Sequence, residues 1–334
     1  MRATIKDVAK LAGVSTATVS NVLTERKAVS TELKVRVCRA MEQLNYKPNS
    51  IARSLKTNQS YMIGVIVPDI LNPFFAEVLK YIGEETNRHG YQMVIYDSGE
   101  DAERERKLLK LLIDNGADGI INITSRMKEE ELSEAFPVPV VLGDRSDFPT
   151  PDKTAFVRSD NFASGKIAAE HLAEKGYKDF VCIAGPVDTA SAARRRLEGF
   201  KSGLKSCGFS EKDLQVFTCS FSFDDGYRVM SRFLDTYDRT SRYAVYASSD
   251  IMAWGVIEAC KSRKLRIPED IAVIGNDNIW CSRYIAQGLT TVENSACELG
   301  RRAAELLLDA LAEQGIFRQH NIVLEPHLCI RTTT

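Results

Sequence analysis

The chain has 334 residues, 44% hydrophobic and 27% charged, a globular balance that excludes disorder, and no apolar run approaches the length of a membrane span. Its eight cysteines stand singly without a Cys-x-x-Cys pair and its four histidines share no motif, which weighs against zinc chemistry and fits reduced, mostly buried thiols in a cytosolic protein; charge from Arg2 onward is unlike an export signal. The net charge of −1 hides a division: residues 1–60 carry eleven Lys/Arg against four Asp/Glu, and the remainder 33 against 41, so attraction for a polyanion gathers at one end.

Three short helices are predicted in residues 1–46. Thr4 followed by Asp7 gives a capping-box start, Val8, Leu11 and Ala12 fall on one helical face, and Gly13 supplies a left-handed stop. Ser15 caps a second helix that buries Val19, Val22 and Leu23 and turns Thr16, Ala17, Ser20 and Asn21 outward. A third starts near Ser30, with Leu33, Val37, Met41 and Leu44 at helical spacing, and stops before Pro48. Two helices on a tight glycine turn, the second opening on small polar groups, have the shape that enters a DNA major groove. A three-helix protein-interaction module is the plainer reading, and the basic charge weighs against it.

Residues 47–60 allow only about two helical turns, too few for a helix stable on its own. Ile51 and Leu55 share one side, flanked by Arg53 and Lys56. An exposed leucine in a basic, marginal helix suits an apolar wedge in a minor groove, and a plain tether is the alternative. From residue 61 strands alternate with helices, at Ile63–Val67, Met93–Tyr96, Gly119–Ile123, Val138–Leu142, Phe180–Ala184, Tyr243–Ala247 and Ile271–Ile274, with a last strand at Leu328–Arg331. That alternation calls for parallel sheets with helices on both faces. His89-Gly90-Tyr91, Lys175-Gly176-Tyr177 and Cys207-Gly208-Phe209 each mark a helix stop. A fresh start near Asp160 divides the body into two lobes.

Ligands in such folds sit beyond the carboxyl ends of strands. Candidates there are Asp69, Asn72, Phe74 and Phe75 after the first strand, Asp144 and Arg145 after the fourth, then Arg194, Arg196, Phe221, Ser249, Asp250, Asn276 and Asp277. Each has a plainer role, as core, cap or solvated charge. Together, carboxylates and guanidinium forks for adjacent hydroxyls and rings for an apolar face describe a sugar site.

The phrases Thr4-Ile-Lys-Asp-Val-Ala-Lys10, Gly13-Val-Ser-Thr16, Thr18-Val-Ser20, Leu44-Asn-Tyr46 and Ala52-Arg-Ser-Leu-Lys56 resemble the head of the lactose/galactose repressor family of bacterial transcription regulators, nearest its purine and ribose repressor branch. The resemblance runs the length of the chain. It implies an all-α helix-turn-helix head on an α/β, periplasmic-binding-protein-like body of two doubly wound parallel-sheet lobes. The expected divisions are a head at 1–46, a hinge at 47–60 and an effector-binding body at 61–334. Lobe one would hold 61–159 and 291–321, and lobe two 160–290 and 322–334.

By that likeness Thr16, Ala17 and Asn21 sit where bases are read. Ser15, Thr18, Lys27 and Ser30 serve the backbone or neighbouring contacts, and Thr4, Asn49, Ala52, Arg53, Leu55 and Lys56 complete the DNA set. In the body Asn72, Phe74, Phe75, Asp144, Arg145, Arg196, Phe221 and Asp277 coincide with aldose-contacting positions. Ser249 and Asn294 depart from the usual Asn and Gln, and Asn276 replaces an aromatic. The implied protein is a cytoplasmic homodimeric repressor that binds operator DNA and releases or grips it according to a small effector, a sugar. A nucleobase, nucleoside or sugar-phosphate effector, or a corepressor, is the alternative. No cofactor is expected. The dinucleotide, P-loop, Gly-x-Ser-x-Gly and His-Glu-x-x-His motifs are missing, so no catalysis is expected either. A transport receptor would need an export signal and no basic head.

Overall fold

The computed structural model describes residues 3–24, 29–46, 59–123, 136–144, 153–237 and 241–334. The chain divides into two compact units, residues 1–60 and residues 61–334.

The head consists of α1 (Ile5–Ala12), α2 (Thr16–Thr24) and α3 (Thr31–Gln43). Thr4 and Asp7 form a complete capping box, and Gly13, at φ 63°, ends α1 in the left-handed region. The core is Val8, Ala9, Ala12, Val19, Val37 and Ala40. Leu11, expected on the buried face of α1, is instead 50% exposed, and Ala9 takes its place. Small residues let the helices approach closely. Arg36 of α3 then donates to the carbonyls of Ala12 (2.7 Å) and Gly13 (3.2 Å), tying the turn between the first two helices to the third.

The body holds two six-stranded sheets. The first runs β11 (Asn321–Leu324), β5 (Thr154–Ser159), β4 (Val140–Gly143), β3 (Gly119–Ile123), β1 (Met62–Val67), β2 (Gln92–Asp97), all parallel. Its two faces are buried under α4 (Pro73–Arg88) and α10 (Ala296–Ala312) on one side and α5 (Ala102–Asp114) on the other. The second runs β12 (His327–Cys329), β10 (Thr290–Glu293), β9 (Ile271–Asp277), β8 (Tyr243–Ala247), β6 (Asp179–Ala184), β7 (Leu214–Thr218), with β12 alone antiparallel. Alternate residues of β6 and β8 pack under α6 (Asn161–Glu174) and α7 (Ser191–Ser206) on one face and α8 (Phe223–Asp235) and α9 (Asp250–Ser262) on the other. This is the doubly wound pair of lobes that the alternation implies.

The chain crosses between lobes at 160, at 294–295 and at 325–326. Two expected lobe boundaries therefore move. β10 belongs to the second sheet because Thr290–Glu293 pairs in parallel with β9, and β11 belongs to the first because Asn321–Leu324 pairs with β5. The three Gly-aromatic helix stops form as expected: Gly90, Gly176 and Gly208 all have positive φ, and the N–H of Tyr91 reaches back to the Thr86 carbonyl at 3.0 Å. The thiols differ from expectation. Only Cys182 and Cys260 are fully buried, while Cys38 and Cys207 are exposed.

Candidate DNA-reading helix and interlobe cleft

At the start of α2 the Ser15 hydroxyl accepts the Thr18 N–H at 3.0 Å and lies 2.9 Å from the Thr18 hydroxyl. Ser15 is thus the helix cap. Ser15, Thr16 and Ala17 are exposed, and Thr18 and Asn21 are half-buried. Thr4 and Ser30 also cap, Thr4 against Asp7 and Ser30 by accepting the Leu33 N–H at 3.4 Å. The helix therefore presents a positive dipole end with small polar groups around it. Lys27, Asn49, Ala52, Arg53, Leu55 and Lys56 lie outside the described residues.

In the body, a cleft lies at the carboxyl ends of the strands, where ligands of such folds bind. It is lined by Pro68, Asn72, Phe74, Phe75, Glu100, Asp144, Ala190, Ala192, Arg196, Phe221, Ser249 and Asp277. Asn72 caps α4 by accepting the Phe74 N–H at 3.0 Å, which sets Phe74 and Phe75 edge to face at the helix start.

Arg196 is 4% exposed, although Arg194, two residues before it, faces solvent. Close packing of two helices puts it there: a Cβ on Gly165 of α6 would lie 1.9 Å from the Arg196 carbonyl, and one on Gly199 of α7 equally near that of Phe162. The guanidinium donates to Asn161 Oδ1 (2.7 Å) and the Ser248 carbonyl (2.6 Å) and pairs with Asp277 (3.2 Å). Asn161 in turn donates to Asp144 Oδ1 at 3.1 Å, so one asparagine at the first interlobe crossing links the Asp144 carboxylate to the arginine that Asp277 pairs with directly. Asp277 Oδ1 also accepts from Asn276 (3.0 Å) and Asn294 (3.2 Å), and Asn294 accepts from Ser164 at 2.9 Å.

Burial pushes Asp144 upward against the pull of Arg196, and pushes Asp277 up to about 6, again against Arg196 and its amide donors. Burial opposes the charge of Arg196, but Asp277 and Asp144 outweigh it and raise the guanidinium further. The ensemble is a set of buried, hydrogen-bonded polar groups that share the cleft with aromatic rings, able to accept and donate to vicinal hydroxyls at once.

Two expected ligand residues are placed elsewhere. Asp69 is not among the lining residues; its Oδ1 accepts the Leu71 N–H at 2.8 Å in a local turn. Asp250, fully buried, accepts the Ile279 N–H (3.0 Å) and the hydroxyls of Ser282 and Thr291, bracing the chain between β9 and β10. Burial and the neighbouring Asp277 charge push it up to about 7. Arg145 lies outside the described residues. Ser249 does line the cleft, but its hydroxyl caps α9 by accepting the Met252 N–H at 3.3 Å. Asn161, Ser248, Pro68 and Glu100 do not follow from the sequence reading; only Glu100, a charged residue just past a strand end, offers a usable signal. Among the described residues no group of His, Cys, Asp and Glu is set to hold a metal, and no helix is long and apolar enough to cross a membrane.

Residues 4–49 match the family model "Bacterial regulatory proteins, lacI family", and residues 169–334 match "Periplasmic binding protein-like domain". The HTH-type transcriptional repressor PurR of Mannheimia succiniciproducens is 36% identical over 98% of both chains. The ribose operon repressor of Escherichia coli is 33% identical over 98% of this chain and 99% of its own. The lac repressor dimer bound to operator and the anti-inducer ONPF superposes with a TM-score of 0.87 at 26% identity, covering 100% of this chain and 99% of that one. With its head, its two-lobed body and full-length relatives of this kind, the chain belongs to the lacI family of bacterial regulatory proteins.

Proposed function

We propose that the protein is a cytoplasmic, homodimeric repressor whose affinity for operator DNA is set by an aldose held between the two lobes. The observation that carries the effector reading is the buried Asp144–Asn161–Arg196–Asp277 ensemble in a cleft that Phe74, Phe75 and Phe221 also line. Adjacent hydroxyls of a sugar ring satisfy a carboxylate and a guanidinium fork together, and its C–H face lies on the rings. Glu100, Asp144 and Asp277 around the same cleft disfavour a phosphorylated sugar. A nucleobase is the second reading, favoured by the likeness to a purine repressor and by the aromatic walls.

On DNA, the N-terminus of α2 enters the major groove. Thr16, Ala17 and Asn21 meet base edges, Thr4, Ser15, Thr18, Lys27 and Ser30 hold the backbone, and Leu55 wedges a minor-groove step with Asn49, Ala52, Arg53 and Lys56 around it. Two heads occupy half-sites about 34–36 Å apart on a pseudopalindrome. The exposed Leu71, Trp280 and Tyr284 of the body, 87%, 58% and 71% accessible, are surfaces that a second copy covers. Effector binding shifts operator affinity by its own differential affinity for the two states, and either sign is physically allowed. The reading assigns no catalysis.

The test is a selection of duplexes from the protein's own genome, followed by gel-shift titration at several salt concentrations with D-ribose, D-xylose, D-galactose, hypoxanthine and a ribose phosphate added in turn. Site-selective, salt-sensitive binding altered by a free aldose is expected; a bound aldose also stabilises the body by about 2.7 kcal/mol at a hundredfold excess over Kd. No selective binding to any duplex overturns the regulator, and a response to hypoxanthine alone overturns the sugar.

A further inference from the structure

Asp277 ends β9 with φ 115°, and Asn278 follows at φ 51°, so the cleft carboxylate leaves its strand through two consecutive left-handed residues that are not glycine. Such backbone persists only where its surroundings over-determine it. Here they do. Asn278 Oδ1 accepts from Arg331 Nη2 at 2.6 Å, its Nδ2 donates to Glu293 Oε2 at 3.0 Å, and its backbone N–H donates to Thr291 Oγ1 at 3.3 Å. Glu293 is the residue that β10 sets beside Asp277 in the parallel register. Arg331 is itself fixed, donating through Nη1 to the Leu289 carbonyl at 2.6 Å and through its backbone N–H to Thr290 Oγ1 at 3.0 Å. Neither Arg331 nor Asn278 nor Glu293 lines the cleft.

We infer that Arg331, acting through Asn278 with Glu293 as the second anchor, is a positioning residue that aims Asp277 at Arg196 and so sets the affinity of the cleft for its effector. The guanidinium does this because it is a fork: one nitrogen holds the Leu289 carbonyl while the other holds Asn278. A lysine, with one point of charge, spans only one of the two. The inference rests on Asp277 as an effector contact, as proposed above.

The experiment titrates D-ribose, D-xylose and D-galactose calorimetrically into the full-length protein, wild type and variant, and determines crystal structures of both. Arg331→Met is expected to raise the Kd of whichever aldose binds the wild type at least tenfold, with Arg331→Lys in between. In an Asp277→Asn background Arg331→Met should add nothing, because the group it positions is already altered. A merely structural role predicts a lowered melting temperature with Kd unchanged at a temperature where the variant is folded, or an equal loss in both backgrounds; either overturns the inference. Should Arg331→Met not fold, Asn278→Gly serves: it keeps the left-handed backbone free of cost and removes the side-chain ties, so a raised Kd supports the relay and an unchanged one refutes it. If no aldose binds the wild type, the sugar reading fails by itself. The crystal structures then decide the relay, which stands if the Arg196–Asp277 pair opens in the variant and falls if it keeps its 3.2 Å.

Discussion

The candidate reading groups of the head leave one short helix side by side, and helical geometry alone sets their spacing. In the cleft, Arg196 reaches Asn161 and Ser248 across 35 and 52 positions of sequence, and Asp277 draws on two further amides. The first surface is exposed around a cap; the second is a buried network whose members already satisfy one another. A surface side chain of the head is therefore exchangeable without loss of fold, while a cleft residue carries binding and stability together.

The sharpest break of that contrast is Arg196→Ala. It strands Asp277 and Asp144 in a buried site, so it should cost the body about 3–5 kcal/mol in urea unfolding and abolish the aldose response. An unfolding midpoint equal to wild type would make Arg196 an ordinary solvated charge. Next, Asn21→Ala should weaken operator binding by about 1–3 kcal/mol while leaving aldose Kd and body stability unmoved. The cleft should also respond to pH. Asp277 is pushed up to about 6, so it is anionic above that pH and below it loses its charge and its ion pairing with Arg196. Aldose affinity should fall about tenfold from roughly pH 7.5 to roughly pH 5, and Asp277→Asn should remove that dependence. The smallest expected change is Thr4→Ala, which removes the capping box at a cost of about 1 kcal/mol, read as lowered amide protection in α1 with the body's melting temperature fixed.

What the sequence makes legible follows the same contrast. The head's caps and turn are local, and Thr4, Gly13, Ser15 and Ser30 announce them. Strands such as Gly119–Ile123 and Tyr243–Ala247 read clearly because a strand buried on both faces is mostly apolar; Asn122 alone interrupts the first, and it is held by Glu105 at 2.6 Å. β10 hides because Thr290 and Thr291 look like surface residues although both are fully buried, and β7 and β11 hide as half-exposed edges. β5 carries Thr154, Arg158 and Ser159 within a mostly buried run. In the cleft, the rule that ligand residues follow strand ends finds Asn72, Phe75, Asp144 and Asp277. It cannot separate Asp250 from Asp277. That difference depends on Ser282 and Thr291, which lie 32 and 41 positions further on. Asn161 reads as an ordinary helix start, and nothing local reveals the arginine it holds.

Three separate passages of chain join the two lobes, and Ser159 of the first donates to the backbone of Asn294 in the second at 3.0 Å, while the N–H of Asp160 bonds to Leu324 beside the third. Cords laced together in this way bear a load jointly, like the sewing in the spine of a book, so a substitution that frays the lacing, such as Ser159→Ala, should loosen the passages it ties.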